Sequence, residues 1–156
     1  MSLKTRKREA VSNMDVENFP SDFWRGIASR DFISNGVVLA NAFQFDDTIR
    51  EDGYKELSIN WNDCDDSLKI ALEQRKPNGK LQFSVGVAKL DLSMVELFLS
   101  TFIKQGVFSY ERRKVEGNPY HGNLLIHGEL DKQSRSLVSS GLALVAGTNI
   151  TYQQEE

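Results

Sequence analysis

Both histidines of this chain lie in or just after a segment rich in glycine and amide side chains. Residues 117–122 read GNPYHG, and His127 follows with another glycine behind it. Glycine lets a backbone approach a ligand closely, and histidine exchanges protons near neutral pH. The pattern marks His121 as a candidate acid–base catalyst, with Asn118 and Tyr120 as candidate ligand-binding residues. The alternative is that His121 hydrogen-bonds a backbone carbonyl and shapes the turn.

A metal site shared by the two histidines is not predicted. If residues 121–127 form a straight strand, the two rings lie on one face but about 20 Å apart, at 3.3 Å per residue. The single cysteine, Cys64, cannot build a zinc finger. The chain also lacks a P-loop, a dinucleotide-binding glycine motif and a zinc-binding HExxH helix. We therefore expect no metal and no cofactor.

Arg25 is the second candidate for chemistry, because it lies in the short aromatic segment 23–27. A buried guanidinium needs a partner, which could be the carboxylate of Glu56 in a structural ion pair or a bound phosphate. We therefore group Arg25 and Glu56 with His121 as candidate catalytic residues. Ser58 and Asn60 would complete a polar wall with Glu56 if their strand lies beside the first. Otherwise they form the solvated face of an edge strand.

Several short motifs resemble, in their order, a loose group of small uncharacterised bacterial and phage-related proteins. The resemblance covers residues 23–145. That group has an early Arg-x-Ile, a central Leu-Ser-Val-like strand and a late Asn-Pro-x-His element before a terminal helix. The matching segments here are Arg25-Gly26-Ile27, Ala42-Phe43, Leu57-Ser58-Ile59, Gly86-Val87-Ala88 and Asn118-Pro119-Tyr120-His121. Gly122 stands where the group more often has a small residue such as alanine. The resemblance implies a bacterial origin and no particular activity.

A second resemblance is to the ADP-ribosyltransferase-like fold. There an early arginine or histidine on a strand helps to hold a dinucleotide, and Arg25 and Ser58 match that scheme. The glutamate-x-glutamate element of many of its catalysts is missing from this chain.

The composition is that of one globular domain of 156 residues, with 40% hydrophobic and 26% charged residues. No apolar run reaches the roughly 18 residues of a membrane span, so no membrane partner is expected. The net charge of −3 makes bulk nucleic-acid binding an unfavoured function. The lone cysteine favours a reducing, cytoplasmic location. Residues 1–18 are interpreted as a disordered basic tail and residues 19–150 as a single domain.

The order of the predicted elements indicates an α+β domain, with one mostly antiparallel or mixed sheet packed with about three helices. Strands are predicted near residues 23–27, 37–45, 56–61, 81–90, 107–115 and 123–127. Helices are predicted near 63–75, from Ser93 to before Gly106, and at 131–146. The second helix, opened by a capping box at Ser93 and Glu96, should be deeply buried. The predicted core residues are Leu57, Ile59, Trp61, Leu68, Leu72, Leu97, Phe98, Phe102, Leu142 and Val145.

Two functions follow from these residues. The favoured one is a non-catalytic binding or regulatory module, with an anionic small molecule or a protein as its partner. The alternative is a small enzyme acting on a nucleotide or nucleic-acid phosphate, with His121 as acid–base and Arg25 as anion clamp. A shared pocket that holds His121, Arg25 and Glu56 would favour the enzyme.

Overall fold

The computed structural model describes residues 18–102 and 107–154, and of Phe102 only the backbone. The predicted tail at 1–18 therefore lies outside the described residues except for Asn18, and so does the predicted burial of the Phe102 side chain. At the start of the described part, the Phe19 ring stacks on Trp61 with 4.5 Å between ring centroids. Phe19 thus belongs to the packed domain.

The described residues form eight strands and three α-helices. The strands are β1 (Asp22–Ile27), β2 (Ile33–Ser34), β3 (Val37–Val38), β4 (Tyr54–Trp61), β5 (Gly86–Asp91), β6 (Phe108–Arg112), β7 (His121–His127) and β8 (Ile150–Tyr152). The helices are α1 (Asp65–Glu73), α2 (Leu92–Phe102) and α3 (Lys132–Ala146). Six strands form an antiparallel sheet in the order β6-β7-β4-β1-β5-β8, and β2 and β3 form a separate hairpin. The predicted α+β class is confirmed.

β4 is a central strand of the sheet, and the apolar residues of its alternating sequence all lie on one buried face, as predicted. Leu57, Ile59 and Trp61 are at most 2% exposed and belong to the main core. Successive strand side chains point to opposite faces, so Glu56, Ser58 and Asn60 share the other face. The predicted orientation of this strand is confirmed.

The predicted strand at 37–45 is wrong for most of its length. Asn35 and Gly36 do form a turn with positive φ, and the strand after it covers only Val37–Val38. Residues 40–43 then form a 3-10 turn in which Ala42 and Phe43 are both buried. A strand would point consecutive side chains to opposite faces, whereas a helical turn can bury both against one core.

The predicted deep burial of the second helix is also wrong. α2 packs one side on the sheet, and Leu97 on its other side is 64% exposed. The N-terminal cap differs as well: the Asp91 carboxylate accepts a hydrogen bond from the Met94 amide at 2.9 Å. This acceptor precedes the predicted capping box at Ser93 and Glu96, so α2 begins earlier, at Leu92.

Helices pack on both faces of the sheet, but the hydrophobic core on one face is much larger than the core on the other. We call the face that carries Leu57 and Ile59 the major face; α2 and α3 pack on it around the large core. The opposite, minor face carries Trp24 and is covered by α1 through a small cluster that includes Leu68 and Leu72. These two leucines were predicted in the main core and instead pack on the minor face. Within 18–102 and 107–154 no helix is long and apolar enough to cross a membrane.

Candidate functional site

Arg25 lies where β1 and β4 separate. The two strands pair only at Phe23 with Trp61 and at Trp24 with Asn60. Beyond that point the Arg25 side chain takes the place of the missing strand hydrogen bonds. Its Nη1 donates to the backbone carbonyl of Ser58 at 2.9 Å, and its Nε donates to the carbonyl of Ala42 at 2.9 Å.

The partners of Arg25 are therefore backbone carbonyls. Burial lowers the pKa of Arg25 to about 10, which leaves the guanidinium charged at neutral pH. No carboxylate of the described residues forms an ion pair with it. The expected pairing of Arg25 with Glu56 is not seen, because the two side chains point to opposite faces of the sheet: Arg25 alternates with Trp24, whereas Glu56 alternates with Leu57.

Glu56 belongs to an ion cluster on the minor face. The guanidinium of Arg50 contacts Glu111 at 2.7 Å, Asp52 at 2.9 Å and Glu56 at 3.3 Å. The amide of Asn123 donates to Glu111 at 2.7 Å and to Glu56 at 3.2 Å. The hydrogen bond to Glu111 is the main cause that raises the pKa of Arg50. Because each charged group has a partner, the cluster ties the 46–53 loop to the sheet.

His121 also lies on the minor face, directly across from Asn60 in the β4–β7 register. Its Nδ1 is 2.8 Å from the backbone carbonyl of Arg113 and must carry the proton in that hydrogen bond. The bond closes the loop between β6 and β7. Arg25 and His121 thus lie on opposite faces, and the structure does not bring the three candidate catalytic residues together.

The four candidate ligand-binding residues divide in the same way. Asn118 and Asn60 are buried and hydrogen-bonded to each other, and Asn118 also donates to Gln74 at 3.3 Å. Ser58 is exposed. Tyr120 contacts the thiol of Cys64 at 3.2 Å, and this hydrogen bond is the main cause that raises its pKa to about 12. The two asparagines therefore join β4 to the 113–120 loop and serve packing.

His127 ends the same strand as His121. β7 is continuous between them, so the two rings remain about 20 Å apart by strand geometry. The Nδ1 of His127 accepts a hydrogen bond from the amide of Glu129 at 3.2 Å. In the described part of the chain no three His, Cys, Asp or Glu side chains come together as metal ligands.

A concave site lies elsewhere, on the major face at the N-terminal end of α3. It is an open groove of about 560 Å³ between α3 and the segment 40–47, with the start of β4 at its base. Its lining residues are Ala40, Asn41, Gln44, Phe45, Asp47, Lys55, Lys132, Arg135, Ser136, Ser139 and Ser140. We call this site the basic groove. None of the sequence-predicted site residues lines it.

The basic groove brings three basic side chains together. Lys55, Lys132 and Arg135 form no ion pair with any described residue, and Asp47 is the one carboxylate in the lining. Asp131, which precedes Lys132, uses its carboxylate to cap α3 by accepting from the Ser134 amide at 2.7 Å. That hydrogen bond is the main cause that lowers the pKa of Asp131. The lining of the groove, with three cations and one carboxylate, therefore carries a net charge of +2.

Both walls of the basic groove are tied to the core. Ser139 of α3 donates its hydroxyl to the carbonyl of Phe43 at 2.7 Å, which joins the two walls. The 40–43 turn is held from the sheet by the bond between Arg25 and Ala42. Arg25 thus anchors the 40–43 wall of the groove to β1 of the sheet. A preorganised site of this kind loses little entropy when a ligand binds.

The groove was missed because its parts are far apart in sequence. Lys55, Lys132 and the 40–47 segment come from three separate elements, and only the fold brings them together. The one local signal was the run of serines that follows Lys132 and Arg135 at the start of α3, where hydroxyls and cations share a helix surface.

Neither protein-family models, curated proteins nor solved structures match this chain, so its resemblance to the bacterial and phage-related group stays a prediction and its function must be inferred from the geometry above.

Proposed function

We propose that the protein is a non-catalytic binding module that holds a small anionic molecule in the basic groove. The observation that carries this proposal is the placement of Lys55, Lys132 and Arg135 around one cavity without ion-pair partners. Other cations of the described chain, such as Lys69 and Lys80, also form no ion pair, so what distinguishes these three is that they line one cavity. Unpaired cations that converge on a concave site favour an anionic ligand.

The remaining lining suits a phosphate-bearing ligand in particular. Arg135 offers a planar fork of N–H donors, and Lys55 and Lys132 offer ammonium groups. The hydroxyls of Ser136 and Ser140 add neutral donors from the same helix surface. Charge-assisted hydrogen bonds of this kind are about twice as strong as neutral ones.

A binding role fits the groove better than a catalytic one. Its lining contains neither histidine, the side chain that most often transfers protons in catalysis, nor a cysteine nucleophile. The enzyme alternative needs one ligand to reach His121 and Arg25, whose side chains lie on opposite faces of the sheet. That alternative stays a prediction that their placement does not support. A cytoplasmic location in a bacterium completes the proposal, and the exposed, free Cys64 is compatible with a reducing compartment.

The test is a titration of the ¹⁵N-labelled full chain with inorganic phosphate, in which the backbone amide chemical shifts are measured by NMR. We expect saturable shifts at residues 40–47 and 132–140. The double substitution Lys132→Gln and Arg135→Gln should abolish them. Lys69→Gln with Lys80→Gln removes two exposed cations away from the groove and is the matched control.

Two results would overturn the proposal. Shifts that survive loss of Lys132 and Arg135 would mean that phosphate does not bind in the groove. Conversion of a phosphomonoester by the native protein, followed by ³¹P NMR and lost in His121→Ala, would establish the enzyme instead.

A further inference from the structure

The basic groove is much larger than a phosphate ion needs. Its volume of about 560 Å³ lies inside the range of roughly 300–1,000 Å³ found for sites of small organic ligands. The cations Lys132 and Arg135 come from the first turn of α3, whereas the amides Asn41 and Gln44 come from the opposite wall. A ligand that fills the groove must therefore have an anionic part and an uncharged part.

The charge of the lining suits a phosphomonoester. Three cations and the single carboxylate of Asp47 give the lining a net charge of +2. A phosphomonoester carries about −1.5 to −2 charges at neutral pH, which matches this excess. A diphosphate or triphosphate would add negative charge for which the described lining offers no further cation.

The uncharged lining indicates what the rest of the ligand presents. Gln44 forms no hydrogen bond within the described chain, and Asn41 uses only its Nδ2, which lies 3.3 Å from the Asp31 carbonyl. A carboxamide carries a donor and an acceptor side by side, which is the pattern that pairs with the edge of a nucleobase. Phe45 and Ala40 add apolar surface to the lining.

We infer that the basic groove binds a nucleoside monophosphate, with the phosphate at Lys55, Lys132 and Arg135 and the base edge at Asn41 and Gln44. This inference rests on the proposed function, since it names the ligand class of the same site. A sugar phosphate offers the same anion without a base edge and is the competing ligand.

The experiment is calorimetric titration of the full chain with inorganic phosphate, ribose 5-phosphate, the four common ribonucleoside 5′-monophosphates and the corresponding diphosphates. At least one nucleotide should bind about tenfold tighter than ribose 5-phosphate, the difference that one or two good hydrogen bonds supply. Gln44→Ala should reduce the affinity for that nucleotide to the affinity for ribose 5-phosphate. Because Gln44 is exposed, its loss should not disturb folding. Asn41→Ala is the second variant, and Lys132→Gln with Arg135→Gln should weaken every ligand.

The outcomes separate the inference from the function on which it rests. Equal affinity for ribose 5-phosphate and all four nucleotides would overturn the nucleotide inference and leave the anion groove standing. A nucleoside diphosphate that binds far tighter than its monophosphate would overturn the assignment of a monoester. Failure of phosphate and of every monophosphate to bind would overturn the proposed function itself.

Discussion

Arg25 and Ala42 are joined by a hydrogen bond of 2.9 Å between the guanidinium Nε and the backbone carbonyl. The bond connects a central strand of the sheet to the turn that forms one wall of the basic groove. The same guanidinium holds the Ser58 carbonyl through Nη1. One side chain therefore replaces strand pairing on one side and holds a wall of the basic groove on the other.

We expect Arg25→Met to lower the free energy of unfolding by about 2 kcal/mol, because two carbonyl groups lose their donors while the cost of burying a charge is relieved. Urea unfolding at neutral pH measures this change. Arg30→Met, at an exposed position nearby, is the control and should be neutral. Phosphate affinity of the groove should fall in Arg25→Met. A variant as stable as the native protein would show that the two bonds only offset the burial of the guanidinium.

His121→Ala should cost about 1 kcal/mol of stability, because the Arg113 carbonyl loses its hydrogen bond. Phosphate binding in the groove should not change, since His121 lies on the minor face. Thermal unfolding and the phosphate titration together provide the test. If the variant kept its stability and lost phosphate binding, His121 would be a ligand-binding residue and its role in the turn would be wrong.

The free energy of unfolding should depend on pH in the alkaline range because of Tyr110. Burial, with a 2.6 Å hydrogen bond from its hydroxyl to Glu96, raises its pKa well above the ordinary value of 10.0. The unfolded chain therefore releases this proton near pH 10 while the folded protein keeps it. The contribution to stability is complete below pH 10 and falls by about 1.4 kcal/mol per pH unit above it.

Tyr110→Phe should remove this part of the alkaline loss. At neutral pH it should cost about 1 kcal/mol, because Glu96 loses its donor. The curves of unfolding free energy against pH for the two proteins should therefore converge above pH 10. Tyr152→Phe, at a half-exposed position, is the control. Parallel curves would mean that the Tyr110 hydroxyl ionises as easily in the folded protein as in the unfolded chain.

Gly122→Ala should destabilise the protein by about 3 kcal/mol, a sum of overpacking and a lost hydrogen bond. A Cβ atom at this position would lie 2.3 Å from the carbonyl oxygen of Glu111 and 2.3 Å from Nε1 of Trp61. Those two atoms are themselves hydrogen-bonded at 3.1 Å. Chemical unfolding measures the loss, with exposed Ser58→Ala as the control. A stable alanine variant would show that β6 can move away from Trp61.

Local patterns predicted those parts of the fold that local physics decides. The alternation of Leu57, Ile59 and Trp61 placed β4 correctly, because a period of two has one structural solution at a buried face. The same reasoning failed for α2, since apolar residues such as Leu97 and Met94 resemble core residues whether or not a partner covers them. The burial of a helix depends on which other elements pack against it, and the sequence of the helix alone does not indicate those elements.

The candidate site was harder to predict than the fold. The sequence indicated His121 and Arg25 as candidate catalytic residues because of their types and neighbours. In the described structure both side chains hydrogen-bond to backbone carbonyls. The basic groove consists of ordinary surface residues, such as Lys55 and Lys132, whose significance appears only when distant segments meet. The type of a residue indicates whether it could take part in a reaction. A groove forms only where segments that are distant in sequence pack beside each other.

The short pairing between β1 and β4 divides the sheet into two three-stranded blocks. β4 pairs with β7 at seven positions and β1 pairs with β5 at six, whereas β1 and β4 pair at two. One block is β6-β7-β4 and the other is β1-β5-β8, so native-state hydrogen exchange should divide along this seam. Separation of β1 from β4 would require Arg25 to release the Ser58 carbonyl. A ligand that clamps the 40–43 turn against α3 would hold that side chain in place and slow the separation of the two blocks.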